Sequence, residues 1–112
     1  MNTPQAIDLL KRLIATPSVS RDEAAAADLI QAEFERWGFV PKRKGNNVWA
    51  EAWPYDEAKP TILLDAHIDT VKPSAAWVRD PFTPSVEGDR LYGLGSNDTG
   101  ASVVTMFATF MR

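Results

Sequence analysis

The stretch that decides the expected fold is Thr61-Ile62-Leu63-Leu64-Asp65-Ala66-His67-Ile68-Asp69-Thr70. Its nearly unbroken apolar run over residues 61–66 is typical of a central strand that is covered on both faces. His67 and Asp69 follow this run, so both are expected where the strand ends, and His67 is the only histidine of the chain. A further carboxylate, Asp98, comes just before a strongly apolar run. An imidazole at a strand end with carboxylates on two loops predicts half of a metal site.

The residues around this stretch predict further helices and short strands. Thr3 is expected to cap a first helix, and Ser20-Arg21-Asp22-Glu23 has the form of a capping box for a second helix that Gly38 ends. Strands are predicted at residues 39–40 and 47–53, followed by a long loop over residues 71–90 with a turn at Glu87-Gly88-Asp89. A short strand is then predicted at Leu91-Tyr92, and an apolar helix from Asp98 onward. This order predicts an α/β fold, a sheet layered by helices, with its ligand site beyond the carboxyl ends of the strands.

Composition limits the classes of function. The chain has 112 residues, 45% of them hydrophobic, which is enough for one domain with a core. Its net charge of -3 is spread along the chain without a basic cluster, which argues against a nucleic-acid or membrane partner and favours a small-molecule substrate. There is no cysteine, so disulfides, thiolate metal sites and a cysteine nucleophile are excluded. The first residues do not resemble a signal peptide, and we expect a cytoplasmic protein.

Each candidate residue has a specific chemical role and a plainer alternative. His67 can act as a neutral nitrogen ligand if an acceptor holds its other ring nitrogen, and Asp69, two residues on along an extended segment, lies on the side where it can be that acceptor. Asp98 has two oxygens, enough to bridge two metal ions. Taken singly, His67 is more often a structural or surface residue, Asp69 can form an Asx-turn, and Asp98 can cap the last helix.

Taken together, these residues resemble a known family. Residues 63–71, Trp77, the run Asp80-Pro81-Phe82-x-Pro84 and residues 87–100 occur in the order and approximate spacing of the acetylornithine deacetylase / succinyl-diaminopimelate desuccinylase / aminoacylase family of two-zinc hydrolases. The resemblance covers the whole chain as the N-terminal part of a layered α/β/α catalytic domain, and it is strongest over residues 61–104. It implies a hydrolase that cleaves N-acyl amides of amino acids.

The resemblance also implies roles for single residues. His67 would bind one zinc ion, Asp98 would bridge both zinc ions, and Asp69 would be the catalytic aspartate behind His67. A cis peptide is expected just after the bridging aspartate. Zinc is the expected metal, with cobalt or manganese also suited to nitrogen and oxygen ligands. The metals would polarise the amide carbonyl and activate a water, and a glutamate would move the proton to the leaving amine.

Two departures from the commoner family pattern affect the expected substrate. The run Thr99-Gly100-Ala101 follows the bridging aspartate where a bulky residue, lysine and glycine are commoner, and Leu94 stands where arginine is frequent. These changes favour an acetylornithine deacetylase-like enzyme of arginine biosynthesis, and the alternative within the family is another N-acyl amino acid or dipeptide hydrolase. The family's general base, its remaining ligands and its lid or dimerisation domain would lie beyond Arg112. We therefore expect the 112 residues to be inactive alone and the parent protein to be a homodimer.

A different class of function competes with this reading. A non-catalytic α/β assembly module would not need a general base. It would use the apolar C-terminal helix as a partner surface.

Overall fold

The computed structural model describes residues 1–52, 54 and 56–111, in which three α-helices and two β-hairpins form. The elements in chain order are α1 (Thr3–Ile14), α2 (Ala24–Arg36), β1 (Lys42–Lys44), β2 (Asn47–Trp49), β3 (Ser85–Glu87), β4 (Arg90–Tyr92) and α3 (Ala101–Phe110). The predicted mixture of helices and strands is thus confirmed. Trp53, the last residue of the strand predicted over residues 47–53, lies outside the described residues.

The three helices enclose the hydrophobic core. Its buried members come from one face of each helix: Leu9, Leu10, Ile14, Ile30, Val103, Val104 and Phe107. The rings of Phe34 and Phe107 lie with centroids 4.5 Å apart and join α2 to α3. None of the helices in the described part of the chain combines the length and the apolarity needed to cross a membrane.

Both predicted helix starts differ from the observed ones. Asn2, rather than Thr3, caps α1: its side chain accepts from the Gln5 N–H at 3.0 Å, and the Gln5 side chain accepts from the Asn2 N–H at 2.8 Å. This reciprocal pair satisfies two free donors at once, which Thr3 one residue later would not do. For α2, the predicted cap Ser20 is wrong as well, because the helix begins only after Glu23 and has no side-chain cap.

The end of α2 agrees with the prediction. Gly38 has a φ of 84°, and its N–H donates to the Glu35 carbonyl at 2.9 Å. This left-handed conformation is the one for which glycine is preferred after a helix.

A buried carboxylate joins the first two helices. Glu33 of α2 is only 2% exposed and accepts hydrogen bonds from Arg12 at 2.6 Å, from the Trp37 indole at 2.9 Å and from Arg36 at 3.2 Å. Burial raises the pKa of Glu33, but these donors outweigh it and hold the pKa below its usual value. The ionised form of Glu33 therefore stabilises the contact between α1 and α2.

The central strand predicted over residues 61–66 is not formed. Residues 61–69 are neither helix nor strand, and Ile62 and Leu63 are 84% and 80% exposed. A strand requires a backbone partner, and both sheets of the described chain have only two strands, β1 with β2 and β3 with β4. Neither sheet includes residues 61–66. The layered α/β/α arrangement therefore stays a prediction.

The loop predicted over residues 71–90 ends in a hairpin. Strands β3 and β4 pair through Ser85 with Tyr92 and Glu87 with Arg90, around the predicted turn at Gly88. Arg79 stabilises this hairpin, because its guanidinium lies 3.9 Å from the centre of the Tyr92 ring and 3.1 Å from the Glu87 carboxylate. The short strand expected at Leu91-Tyr92 is part of β4.

The segment before α3 is a wide turn over Ser96–Gly100 that packs directly on α1. The Gly100 N–H donates to the Gly95 carbonyl at 2.8 Å. A Cβ atom on Gly100 would lie 2.6 Å from Cδ1 of Leu10 and 2.7 Å from that same carbonyl oxygen. The peptide between Asp98 and Thr99 is cis, as the resemblance implied.

We predict that Glu33→Gln lowers the free energy of unfolding at neutral pH by about 1–3 kcal/mol, because hydrogen bonds between a charged acceptor and its donors are lost. The folded-state pKa of Glu33 is lowered, so its contribution is present above the unfolded value of about 4.5 and is lost as the pH falls through the folded value. Thermal unfolding at neutral and acid pH should therefore show a weaker acid dependence in the variant. Glu35→Gln, an exposed change on the same helix, is the control, and equal losses in both variants would contradict the prediction.

We also predict that Gly100→Ala destabilises the chain by about 1–3 kcal/mol, because the backbone at Gly95 cannot yield to the added methyl group as a flexible side chain would. Chemical denaturation measures the change. Ser102→Ala, two residues further along, controls for altered helix propensity. An unchanged midpoint in Gly100→Ala would show that α1 and the turn do not pack as closely as the structure has them.

Candidate metal centre

A short parallel pairing places residues 67–70 beside the loop that follows α1. The Thr70 N–H donates to the Ser18 carbonyl at 2.8 Å, and the Ser20 N–H donates to the Thr70 carbonyl at 3.0 Å. These bonds form an isolated bridge between Val19 and Thr70. The segment that carries His67 and Asp69 is therefore held at its C-terminal end, at Thr70, although no strand precedes it.

The three residues predicted from the sequence come together. Nε2 of His67 lies 3.1 Å from Oδ1 of Asp98. Nδ1 of the same ring lies 3.0 Å from the Asp69 carbonyl oxygen and 3.3 Å from Oδ1 of the Asp69 side chain. The side chains of His67 and Asp98 are 52% and 84% exposed, so the site is open to solvent. The predicted partnership of His67 and Asp69 is thus present, and the backbone of Asp69 contributes to it as well as its carboxylate.

The contacts of the His67 ring leave one position between Nε2 and Asp98 for a proton or a metal ion. Both atoms near Nδ1 are acceptors, so a proton on Nδ1 satisfies that side of the ring. Nε2 faces a carboxylate oxygen, and this contact is favourable when a second ring proton or a metal ion lies between the two atoms. Two ligands at zinc-like bond lengths around a tetrahedral ion lie roughly 3.3 Å apart. The observed 3.1 Å separation of Nε2 and Oδ1 is close to that distance and also equals that of a direct hydrogen bond, so the two residues fit a shared metal ion by donor type and approximate spacing.

The site is incomplete as a metal centre within the described residues. In residues 1–52, 54 and 56–111, no group of three or more His, Asp or Glu side chains is arranged to hold a metal ion. His67 and Asp98 supply two ligand atoms, whereas a closed zinc site has four. These two residues fit the metal chemically but form only part of its coordination.

The sequence did not indicate that Ser20 contacts the site. Its hydroxyl donates to Oδ2 of Asp69 at 2.5 Å, across a separation of 49 residues. This hydrogen bond lowers the pKa of Asp69 and outweighs the partial burial that opposes it. The sequence predicted Ser20 as a helix cap, and no local pattern connects it with Asp69.

The Asp80-Pro81-Phe82 run has a structural role next to the site. The Asp80 carboxylate accepts from the Phe82 N–H at 2.9 Å and from the Thr83 hydroxyl at 2.8 Å, which shapes a tight turn. The Pro81 carbonyl then accepts from the Leu94 N–H at 2.7 Å. Leu94 is buried and lines the cleft that contains His67 and Asp98. The run thereby holds the glycine-containing segment before Asp98 against the rest of the chain.

The sequence of this chain is similar to those of known proteins. Residues 63–112 match the model of the peptidase family M20/M25/M40. The chain is 36% identical over 103 residues to a succinyl-diaminopimelate desuccinylase of Stenotrophomonas maltophilia (strain R551-3), covering 87% of this chain and 27% of that protein. It is 34% identical over 103 residues to the enzyme of the same name from Xylella fastidiosa (strain M23), covering 87% and 26%.

A third relative aligns over more of the chain. It is the succinyl-diaminopimelate desuccinylase of Rhizorhabdus wittichii, 30% identical over 115 residues, which cover 95% of this chain and 30% of that protein. The chain thus spans about a quarter of the length of the curated relatives it matches. The match begins with the residues that lead into His67 and includes Asp98. This chain belongs to the peptidase family M20/M25/M40, whose relatives named here are succinyl-diaminopimelate desuccinylases.

Proposed function

We propose that these 112 residues are the N-terminal part of the catalytic domain of a metal-dependent hydrolase, which cleaves the N-acyl amide of an amino acid. His67 and Asp98 are its metal ligands, and Asp69 is the catalytic aspartate behind His67. The observation that carries this proposal is the approach of Nε2 of His67 to Oδ1 of Asp98, while both neighbours of Nδ1 are acceptors. Family membership supports the reaction class.

The side chains divide the work. Asp69 holds the proton of His67 on Nδ1 through its carbonyl and its carboxylate, which keeps the Nε2 lone pair available as a ligand. Asp98 presents one oxygen to the same position and, being largely exposed, keeps its other oxygen free for a second ion. A bound divalent metal supplies a Lewis acid for the amide carbonyl and lowers the pKa of its bound water. Zinc suits this donor set, and cobalt or manganese fits it too.

The choice of acyl group rests on two different observations. The relatives are named for removal of a succinyl group from diaminopimelate, which supports an N-succinyl amide as the substrate. Leu94 and the run Thr99-Gly100-Ala101 support the second candidate, an acetylornithine deacetylase-like activity in arginine biosynthesis. Leu94, however, is only 8% exposed, so little of its side chain is accessible from the cleft that it lines. We therefore favour the succinyl amide.

The general base is the missing component. Hydrolysis of an amide requires a group that takes a proton from water and delivers it to the leaving amine. The described residues that line the cleft around His67 and Asp98 include no glutamate. Asp69 contacts the side of the imidazole opposite Asp98, so it orients His67 and is not placed to act on a water at Nε2.

We predict weak zinc binding by the 112-residue chain, measured by calorimetry. His67→Ala should abolish it, and Asp98→Asn should weaken it at least about tenfold, because each removes a ligand atom or its charge. Asp89→Asn in the exposed turn between β3 and β4 is the control for the lost charge. Binding that persists unchanged in His67→Ala, or no binding by the unmodified chain, would contradict this half-site.

We further predict that the zinc-loaded 112-residue chain releases neither succinate from N-succinyl-diaminopimelate nor acetate from N-acetylornithine, since no glutamate among the described residues is positioned at the cleft as a general base. The His67→Ala variant sets the background of the assay. Turnover above that background would overturn the prediction.

A chimera tests whether these residues support hydrolysis when the rest of a catalytic domain is present. Residues 1–112 replace the matching segment of the Stenotrophomonas maltophilia desuccinylase, and both substrates are assayed. We expect succinate release that falls at least about a hundredfold in the His67→Ala and Asp98→Asn chimeras, because loss of a ligand should cost at least as much as the roughly 10–100-fold typical of losing a group that only orients a ligand. A chimera that folds, as judged by circular dichroism, and hydrolyses neither substrate would refute the proposed activity.

A further inference from the structure

Among the described residues outside the predicted site, Ser20 makes the shortest side-chain hydrogen bond to a site residue. Its hydroxyl donates to Oδ2 of Asp69 at 2.5 Å, and the other oxygen of that carboxylate, Oδ1, lies 3.3 Å from Nδ1 of His67. The Asp69 carboxylate therefore bridges a hydroxyl on one side and the imidazole on the other. A hydrogen bond of this length to an ionised carboxylate is of the strong, charge-assisted kind.

The backbone holds Ser20 in this place independently of its side chain. Its N–H donates to the Thr70 carbonyl, and the Thr70 N–H donates to the Ser18 carbonyl. Replacing the hydroxyl leaves both bonds intact, so the side-chain contact can be removed without removing the pairing. The Thr70 carbonyl, at 3.4 Å, is a second acceptor for the hydroxyl, but the shorter contact goes to the charged oxygen of Asp69.

A competing structural role for the hydroxyl is helix capping, but Ser20 does not cap α2, which has no side-chain cap. Helix α2 begins after Glu23, whose carboxylate accepts from the Arg21 N–H at 2.5 Å. The chain between Ser20 and α2 thus makes its own turn, and Ser20 lies outside the helix. Its hydroxyl is directed to the candidate metal centre.

Without the hydrogen bond from Ser20, the Asp69 carboxylate would adopt more than one orientation. The terminal torsion of an aspartate is broad and roughly two-fold, and the Asp69 side chain is 36% exposed. Without the hydroxyl, Oδ1 would leave Nδ1 of His67 for part of the time. The Asp69 carbonyl would still accept from Nδ1, so we expect the ring orientation to loosen rather than to be lost.

We propose that Ser20 is a positioning residue of the metal centre: its hydroxyl fixes the Asp69 carboxylate against Nδ1 of His67 and so keeps Nε2 directed at the ion shared with Asp98. The inference rests on the proposed function for the metal itself, whereas the effect on His67 needs no metal. Groups that orient a metal-bound histidine from behind typically alter metal affinity by about 10–100-fold when removed.

The test uses the fact that His67 is the only histidine of the chain. Nitrogen-15 NMR of the imidazole at one fixed pH reports the population of its two tautomers without overlap. The variants are Ser20→Ala, Ser20→Thr, which keeps a hydroxyl, and Ser18→Ala, which removes a hydroxyl from the same segment and leaves its carbonyl bond to Thr70. Zinc affinity and thermal unfolding are measured on the same samples.

In Ser20→Ala we expect the metal-free ring signals to move towards a mixture of tautomers and zinc to bind about tenfold more weakly. Ser20→Thr and Ser18→Ala should resemble the unmodified chain, and all four proteins should unfold at similar temperatures. Ring signals and affinity that do not change in Ser20→Ala would overturn the proposal.

The outcomes also separate this inference from the proposed function. Zinc binding that requires His67 but is equal with and without the Ser20 hydroxyl would refute the role of Ser20 and leave the metal centre standing. Ring signals that move in Ser20→Ala, in a chain that binds no zinc, would support Ser20 and refute the metal centre.

Discussion

The backbone pairing of Thr70 with Ser18 and Ser20 is the contact on which the candidate metal centre depends. Residues 61–69 form neither helix nor strand, so the position of His67 is set mainly from the C-terminal side, where two hydrogen bonds hold Thr70. The Thr70 side chain also faces the segment before Asp98, since a Cβ atom on Gly95 would lie 2.7 Å from its methyl group. One residue thus brings the histidine segment and the aspartate segment together.

A continuous line of polar contacts follows from that placement. The Ser20 hydroxyl donates to the Asp69 carboxylate, whose other oxygen lies 3.3 Å from Nδ1 of His67 beside the Asp69 carbonyl, and Nε2 of the same ring faces Asp98. The contact between Nε2 and Asp98 is satisfied by a second ring proton or by a metal ion at the exposed end of this line. The proposed metal centre uses the second of these, and the proposed role of Ser20 depends on its contact with the other side of Asp69.

Helix α1 provides the surface against which the aspartate segment is shaped. Leu10 packs on Gly100 and Ile14 packs on Gly93, where any larger side chain would collide with α1. Helix α1 is itself held to α2 by the hydrogen bond from Arg12 to the buried Glu33. Stability of the helical core and geometry of the site are coupled through these close contacts, although the polar residues of the site are largely exposed.

Residues a few positions apart indicate the local features of this chain, which are the three helices, the glycine that ends α2 and the turn at Gly88. Periodicity, capping patterns and motif spacing therefore predict these features, and they also predict His67, Asp69 and Asp98 as site residues, whose metal chemistry stays a prediction. The folded chain shows contacts that such patterns do not indicate: Ser20 contacts Asp69 rather than capping a helix, Glu33 is buried among its donors, and residues 61–66 are not paired in a strand. Each of these depends on which distant backbone and side-chain groups packing brings within hydrogen-bond distance, which spacing along the chain does not encode.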